Sequence, residues 1–409
     1  MPEITATSVP VDTSFNLERD LGSIFAKAVA LKTSDIHIVP FKGGLLYIKY
    51  RIDGKLETNR IIKCDGDMRE QIAAKIKVLG ELRIDETRAP QDGRITVTMG
   101  GKEMYMRIST LPTVNGEKIV IRILGSATDL TMDKLGFLST TSDKIKKYLE
   151  ETFGLILVVG STGSGKSTTL QAMLRTFNTE ETSISTLEDP VEYQVPGVSH
   201  SQVNYKSGFD FATGLRSLLR QDPDVIMVGE VRDAETAKLC AEAAITGHLV
   251  FSTLHANTAV GTVQRLLSLG VDPYVVISGL RLVIAQKLAR RLCPHCKETY
   301  DPDPAVREKI RKIVGQHVQV GTMFKMWRTK EGGCPQCNGR GTKGRIGFYE
   351  ALEMTTTMKK LILERASEAW MSEKAKDEGM ITMAQEAVIK ALAGEVSVDE
   401  INMQLGPTI

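Results

Sequence analysis

The sequence predicts an α/β chain in two parts: an N-terminal α+β domain, then a parallel sheet wound with crossover helices that carries an insertion and a helical tail. Three observations carry this reading. Residues 15–125 mix helical periodicity with hairpin turns, and residues 134–292 alternate short apolar runs with helical segments, as parallel strands joined by crossovers must. Two Cys-x-x-Cys pairs then bracket an irregular stretch at 293–345, before helical patterning resumes over 346–409.

Composition narrows the classes available. Apolar residues make up 42% of the 409 and charged residues 25%, the balance of a globular chain with core enough for two or three domains. Lysine and arginine number 52 against 50 acids, so no overall field favours nucleic acid or an anionic membrane. The first thirty residues lack a signal-peptide layout, and no apolar run reaches the roughly 18 residues a spanning helix needs. The expectation is a cytoplasmic protein whose cysteines work as metal thiolates in a reducing compartment.

In chain order, residues 1–14 lack apolar periodicity and read as a flexible lead-in. Phe15, Leu21, Ile24, Phe25 and Ala28 fall at helical spacing, and Ile36 to Val39 read as a short strand. Leu45 to Ile52 alternate up to Asp53-Gly54, a pair suited to a tight hairpin. Met68 to Leu79 read as a helix; Arg94 to Met99, a Gly100-Gly101 turn, Glu103 to Ile108 and Lys118 to Leu124 complete the first domain, and 126–133 forms a linker. In the second part the predicted strands are Leu155–Val159, Ile184–Leu187, Val225–Val228 and Leu249–Ser252.

Between the first of these strands and the helix over Thr168–Phe177 lies Gly160-Ser161-Thr162-Gly163-Ser164-Gly165-Lys166-Ser167. Glycines at these positions let backbone amides close round a pyrophosphate, the lysine bridges its outer phosphates, and the serine hydroxyl ligates Mg²⁺. Thr168 continues the set into the helix. The strand before and helix after the loop separate it from a chance Gly/Ser run, so the chain binds a nucleoside triphosphate. Hydrolysis further requires acidic groups to support the metal and to activate water. Two strand ends supply candidates, Glu188 with Asp189 and Glu192, and Gly229-Glu230, where a glycine precedes the acid. His255 ends another strand and reads as a phosphate contact; His248 is as readily structural, and His37, His200, His295 and His317 read as structural or surface residues.

Cys293, Cys296, Cys334 and Cys337 form two knuckle-like pairs 37 residues apart, suited to one closed, structural Zn²⁺ site at the base of an inserted lobe. A redox Cys-x-x-Cys is the rival, disfavoured by the duplication. Cys64 and Cys240 read as packing residues.

With these motifs in this order, the chain resembles the hexameric ATPases of type IV pilus assembly and type II secretion, from about Phe15 to Met403. The resemblance implies a RecA-like P-loop ATPase domain, with ATP and Mg²⁺ as cofactors and Zn²⁺ as a structural ion. By the same analogy Thr186 to Tyr193 corresponds to the aspartate box, Glu188 to the general base or water-positioning group, Glu230 to the metal-supporting acid, and Thr246 through His255 to the histidine box. Arg107 and Arg122 correspond to arginines brought to the nucleotide across a domain cleft, with Arg94 a weaker candidate. The paired cysteines place the resemblance with extension members rather than retraction members. It implies a homohexamer working with an inner-membrane platform protein, peripheral to the membrane through its partners, driving pilin or pseudopilin polymerisation. Such members often carry a further N-terminal docking domain; only about fourteen residues precede the first helix here, so that domain is expected to have been removed or to be absent from a short branch. A nucleic-acid motor and a non-hydrolysing nucleotide-gated scaffold are the rivals. Against the first, the basic segments at Lys287–Arg291 and Lys343–Arg345 lack interleaved aromatics, and no nucleic-acid partner is expected.

Overall fold

The chain divides into two units, Met1–Thr128 and Asp129–Ile409. In the computed structural model the residues described are 9–99, 102–124, 131–177, 180–192, 194–315, 317–318, 320–321 and 323–409. The expected boundary at Gly125, most of the 126–133 linker, the Gly100-Gly101 turn, most of the 1–14 lead-in and Tyr193 lie outside them.

The first unit comprises β1 (Val11–Asp12), α1 (Leu17–Ala30), β2 (Asp35–Phe41), β3 (Leu45–Ile52), β4 (Lys55–Lys63), α2 (Gly66–Leu79), β5 (Gln91–Met99), β6 (Lys102–Thr113) and β7 (Gly116–Leu124). Its seven strands run in the order β1-β4-β3-β2-β7-β6-β5. The β3–β4 hairpin turns where expected, with Asp53 and Gly54 at φ 48° and 86°. Helix α1 starts at Asn16, whose side chain accepts from Arg19 N, and α2 at Asp65, whose side chain accepts from Met68 N. Both helices pack on one sheet face, over Ile36, Ile38, Ile48, Tyr50, Ile108, Ile119 and Ile121. Burying each such side chain contributes about 1.5–3 kcal/mol. One expectation needs correction: within the lead-in, Val11 and Asp12 form a strand parallel to β4, because the Asp12 carboxylate pairs with Arg60 of that strand.

The other face of this sheet carries a cross-strand row. Arg94 pairs with Arg107, Arg107 with Arg122, Arg122 with Asp35, and Asp35 with Arg51. Period-two alternation puts all five on the side opposite the isoleucines.

The second unit holds α3 (Ser139–Leu149), β8 (Gly154–Val159), α4 (Lys166–Phe177), β9 (Ile184–Glu188), β10 (Ser199–Gln202), α5 (Phe211–Leu218), β11 (Val225–Val228), α6 (Ala234–Ile245), β12 (Leu249–Leu254), α7 (Ala259–Ser268), α8 (Pro273–Gly279) and β13 (Leu280–Leu292). After these come β14 (Glu298–Tyr300), α9 (Pro304–Val314), β15 (Met326–Arg328), β16 (Thr342–Glu353) and helices α10 (Thr356–Leu363), α11 (Glu368–Asp377), α12 (Met383–Leu392) and α13 (Val398–Leu405). The sheet order is β10-β9-β11-β12-β8-β13-β16, all pairs parallel except β13 with β16. Two buried clusters line its two faces, which explains the near-continuous apolar runs of β8, β11 and β12.

Here too the structure departs from expectation. Residues 346–353, expected to open the helical region, belong to β16, and the helices begin only at Thr356. The cause is β13, which had no predicted counterpart: from Leu282 to Arg290 it pairs residue by residue with β16 and holds the latter extended. On β16, Glu350 is buried and accepts the amides of Ala259, first residue of α7, at 2.9 Å and Met383, first residue of α12, at 3.4 Å.

Candidate functional site

The site forms at the carboxyl ends of neighbouring parallel strands, where an open α/β sheet places its ligand. In register, Leu187 of β9, Val228 of β11, Ser252 of β12 and Leu157 of β8 lie in one row. The next residues along these strands are Glu188, Gly229-Glu230, Thr253 to His255, and the Gly160 loop. Strand β12 lies between the loop's strand and that of Glu230, so His255 emerges between them.

Gly160, Gly163 and Gly165 adopt φ of 151°, 79° and 91°, values that side chains disfavour. A Cβ on Gly160 would also lie 2.4 Å from the Gln286 carbonyl oxygen. Lys166 Nζ donates to the carbonyls of Gly160 and Ser161 at 3.0 and 3.2 Å. Burial pushes its pKa below the ordinary lysine range, opposed by Glu230 and Glu192. Ser161, Thr162 and Ser167 are exposed, Thr168 half-buried, and Ser164 buried beneath the loop.

Glu188 is the most enclosed of the expected catalytic residues, with its side chain 7% exposed. Its Oε1 accepts the Thr186 hydroxyl at 2.6 Å and His200 Nδ1–H at 2.7 Å. His200 Nε2 in turn accepts the Val195 amide at 2.9 Å, which sets the Nδ1–H tautomer. Among the described residues no hydrogen bond engages Glu188 Oε2, leaving that oxygen for water. His200, expected to be structural or on the surface, is therefore a neighbour of the candidate base. Gly229 is explained by packing: a Cβ there would lie 3.3 Å from Glu188 Cα and the Leu187 carbonyl oxygen, tighter than ordinary contact. Glu230 binds the Arg232 guanidinium, whose Nη1 also meets Asp189 at 3.1 Å and the Tyr205 hydroxyl at the same distance. His255 Nε2 stands 3.5 Å from Glu230 Oε2. His248 caps the opposite end of β12, with Nδ1 3.1 Å from the Ala243 carbonyl oxygen.

Sequence reasoning missed Gln286 of β13. Its amide donates to the Ser164 carbonyl at 2.7 Å and its carbonyl accepts from Thr169 Oγ1 at 2.8 Å, clamping the loop to the first turn of α4. In the first unit, Arg122 Nε meets Asp35 Oδ1 at 2.9 Å and Arg107 Nη2 meets Asp92 Oδ1 at 3.4 Å. Both arginines keep exposed side chains.

The four expected cysteines converge, with their sulfurs all within 4.8 Å of one another. Cys293 and Cys334 lie 3.8 Å apart, Cys296 and Cys337 also 3.8 Å, and Cys334 and Cys337 3.7 Å. Sulfurs about 2.3 Å from a tetrahedral centre are separated by about 3.8 Å, so the donor set fits a divalent thiophilic ion. The amides of Cys334 and Gly341 point at Cys337 Sγ, each at 3.2 Å, and suit a thiolate there. Burial and its three cysteine neighbours push the Cys296 thiol up to about 12, a repulsion that a central cation relieves. The two cysteine pairs flank the segment that carries β14, α9 and β15.

A phosphate loop on a parallel sheet, with acids at the adjacent strand ends, defines a P-loop ATPase. The family described as Type II/IV secretion system protein matches residues 12–403, and the chain belongs to it. It is 40% identical over 383 residues to the type IV pilus assembly ATPase PilB of Myxococcus xanthus, covering 92% of this chain and 66% of that one. It is 41% identical over 352 residues to the type II secretion system ATPase E of Vibrio cholerae, covering 86% and 68%. The chain thus spans about two thirds of these relatives' length. Among solved structures, the pilus retraction motor PilT with bound ADP superposes with a TM-score of 0.60 at 25% identity, covering 93% of this chain and 95% of that one. The Legionella pneumophila ATPase DotB gives a TM-score of 0.70 at 20% identity, covering 97% and 99%, a likeness of fold.

Proposed function

We propose that this chain is a Mg²⁺-dependent ATP motor that powers pilus assembly or type II protein secretion by driving pilin or pseudopilin polymerisation. The observation that carries the proposal is the line of Glu188, Glu230 and His255 along the strand ends beside the Gly160–Ser167 loop, in a chain matched to the family over 12–403.

Residues 160–168 cradle the phosphates and Lys166 neutralises the outer ones; the Ser167 hydroxyl and Glu230 would hold Mg²⁺, which would supply further charge neutralisation there. Glu188 accepts a proton from the attacking water through Oε2, and His255 senses the γ-phosphate. Arg107 and Arg122 offset the charge that spreads over the γ-phosphoryl oxygens during cleavage. The exposure of the Arg107 and Arg122 side chains, side by side across β6 and β7, supports this role. Cys293, Cys296, Cys334 and Cys337 bind structural Zn²⁺. The working form is a ring-shaped homohexamer at the inner face of the cytoplasmic membrane, held by an inner-membrane platform protein. Among the described residues no helix is long and apolar enough to cross a membrane.

Phosphate release by the assembled protein tests the reading. Turnover should require Mg²⁺, vanish in Lys166→Ala, and fall by about 10³-fold or more in Glu188→Gln with ATP still bound. A confirmed hexamer that binds ATP without turnover would instead be a nucleotide-gated scaffold.

A further inference from the structure

We infer that His200 is a positioning residue for hydrolysis: through its Nδ1–H it holds the Glu188 carboxylate in register, leaving one oxygen for the attacking water. The inference rests on the reading of Glu188 as the base.

Position 200 attracted no functional expectation, since Ser199–Gln202 is an all-polar strand without an apolar pattern. Parallel pairing of β10 with β9 puts His200 opposite Thr186 and Gln202 opposite Glu188. The imidazole is enclosed, its side chain 6% exposed, and both nitrogens are committed: Nε2 accepts the Val195 amide at 2.9 Å, Nδ1 donates to Glu188 at 2.7 Å. A ring fixed at both nitrogens cannot swing. The Val195 amide is a permanent donor, so the neutral ring must carry its proton on Nδ1, which lies 2.7 Å from Glu188 Oε1 and 2.9 Å from Thr186 Oγ1, joining the three side chains in one network.

The consequence for Glu188 is asymmetry. Oε1 receives two donors, the Thr186 hydroxyl at 2.6 Å from its own strand and His200 Nδ1 at 2.7 Å from the neighbouring β10. A buried carboxylate that can rotate about its last torsion spends part of its time with neither oxygen aligned on the nucleophile; two donors on one oxygen remove that freedom. Thr186 alone leaves one bond about which the group pivots. His200 supplies the second fixed point, and it transmits the position of the Val195 segment to the base.

The test is steady-state and single-turnover phosphate release in the assembled full-length protein. His200→Ala should lower kcat by about tenfold or more while KM for ATP and nucleotide binding change by less than about twofold. His200→Gln should restore most of the lost turnover, because an amide presents a donor and an acceptor at nearly the spacing of the two ring nitrogens. In a Glu188→Gln background His200→Ala should add no further loss, since it acts through that carboxylate. Wild-type kcat in a folded His200→Ala hexamer would overturn the inference, as would a full additional loss in the Glu188→Gln background. If the alanine variant does not fold, His200→Gln and His200→Phe decide together: turnover kept in the first and lowered about tenfold or more in the second, with KM intact in both, supports the inference, and equal turnover in the two overturns it. Full turnover in Glu188→Gln itself would overturn the reading of the base as well, whereas loss there with His200→Ala unaffected overturns only the role of His200.

Discussion

The side-chain amide of Gln286 donates to the carbonyl of Ser164 at 2.7 Å, tying the phosphate loop to a strand more than a hundred residues away in sequence. The same side chain accepts from Thr169 Oγ1, so one glutamine braces both the loop and the helix that follows it. Gln286→Leu leaves a buried carbonyl and a buried hydroxyl unpaired and should cost about 1–3 kcal/mol of stability. The looser loop should also bind ATP several-fold more weakly. Thermal denaturation and titration with a fluorescent ATP analogue check both.

Gly229 lets β11 pass close to Glu188. An added methyl at 3.3 Å from the Glu188 Cα and the Leu187 carbonyl forces the base outward. Gly229→Ala should lower kcat by about tenfold or more with nucleotide affinity retained, and cost about 1–3 kcal/mol in stability. Phosphate-release kinetics beside an ATP-binding titration separate the two effects.

Arg107 and Arg122 stand side by side in the cross-strand row, and replacing either removes a cation without opening the core on the other face. Arg107→Ala and Arg122→Ala should each reduce kcat, by up to about 10³-fold for a guanidinium that meets the transition state, while ATP binding persists. Single-turnover hydrolysis measures this directly.

The cysteine cluster predicts one Zn²⁺ per chain by elemental analysis of reduced protein. Cys334→Ser should lose that metal and expose the lobe at Glu298–Arg328 to proteolysis, with ATP binding intact because Cys293 lies past the end of β13, well along the strand from the Gln286 that touches the phosphate loop. Retention of one equivalent of zinc in Cys334→Ser would count against the assignment.

Glu353 at the end of β16 anchors α3 through Lys144 and Lys147, each 3.1 Å away. Burial works against its charge, but hydrogen bonds from the two lysines outweigh this and hold its pKa below the ordinary 4.5. A depressed folded-state pKa contributes stability above the unfolded value, lost as pH falls through the folded one. Wild type should therefore lose stability relative to Glu353→Gln below about pH 4.5, in denaturation melts collected at stepped pH.

The phosphate loop, the acids and the two cysteine pairs were legible in sequence because each places its residue types within a few positions, although only the fold brings the two pairs together. Strand β13 was not. Its residues Leu280–Leu292 are rich in Leu, Ala, Gln, Lys and Arg, which favour helices, and its first half is buried on both faces, which erases the alternation that betrays a strand. Gln286 was hidden with it. His200 was invisible for a different reason: its meaning lies in the β9–β10 register, a contact between distant residues that no local pattern encodes. The arginine row, by contrast, was half visible, since Arg94, Arg107 and Arg122 were each noticed while their alignment was a matter of pairing.

Glu350 holds the first amide of α7 with one oxygen and the first amide of α12 with the other, and burial raises its pKa despite both bonds. Helix α7 begins four residues after His255, the residue nearest Glu230 on that loop. If the His255 arm shifts when phosphate leaves, Ala259 carries the shift to Glu350, and α12 must follow or leave a buried carboxylate half unsatisfied, at about 1–3 kcal/mol. The carboxylate is a tie-rod between two helix starts, so α7 and α12 keep their relative position only while both amides reach it.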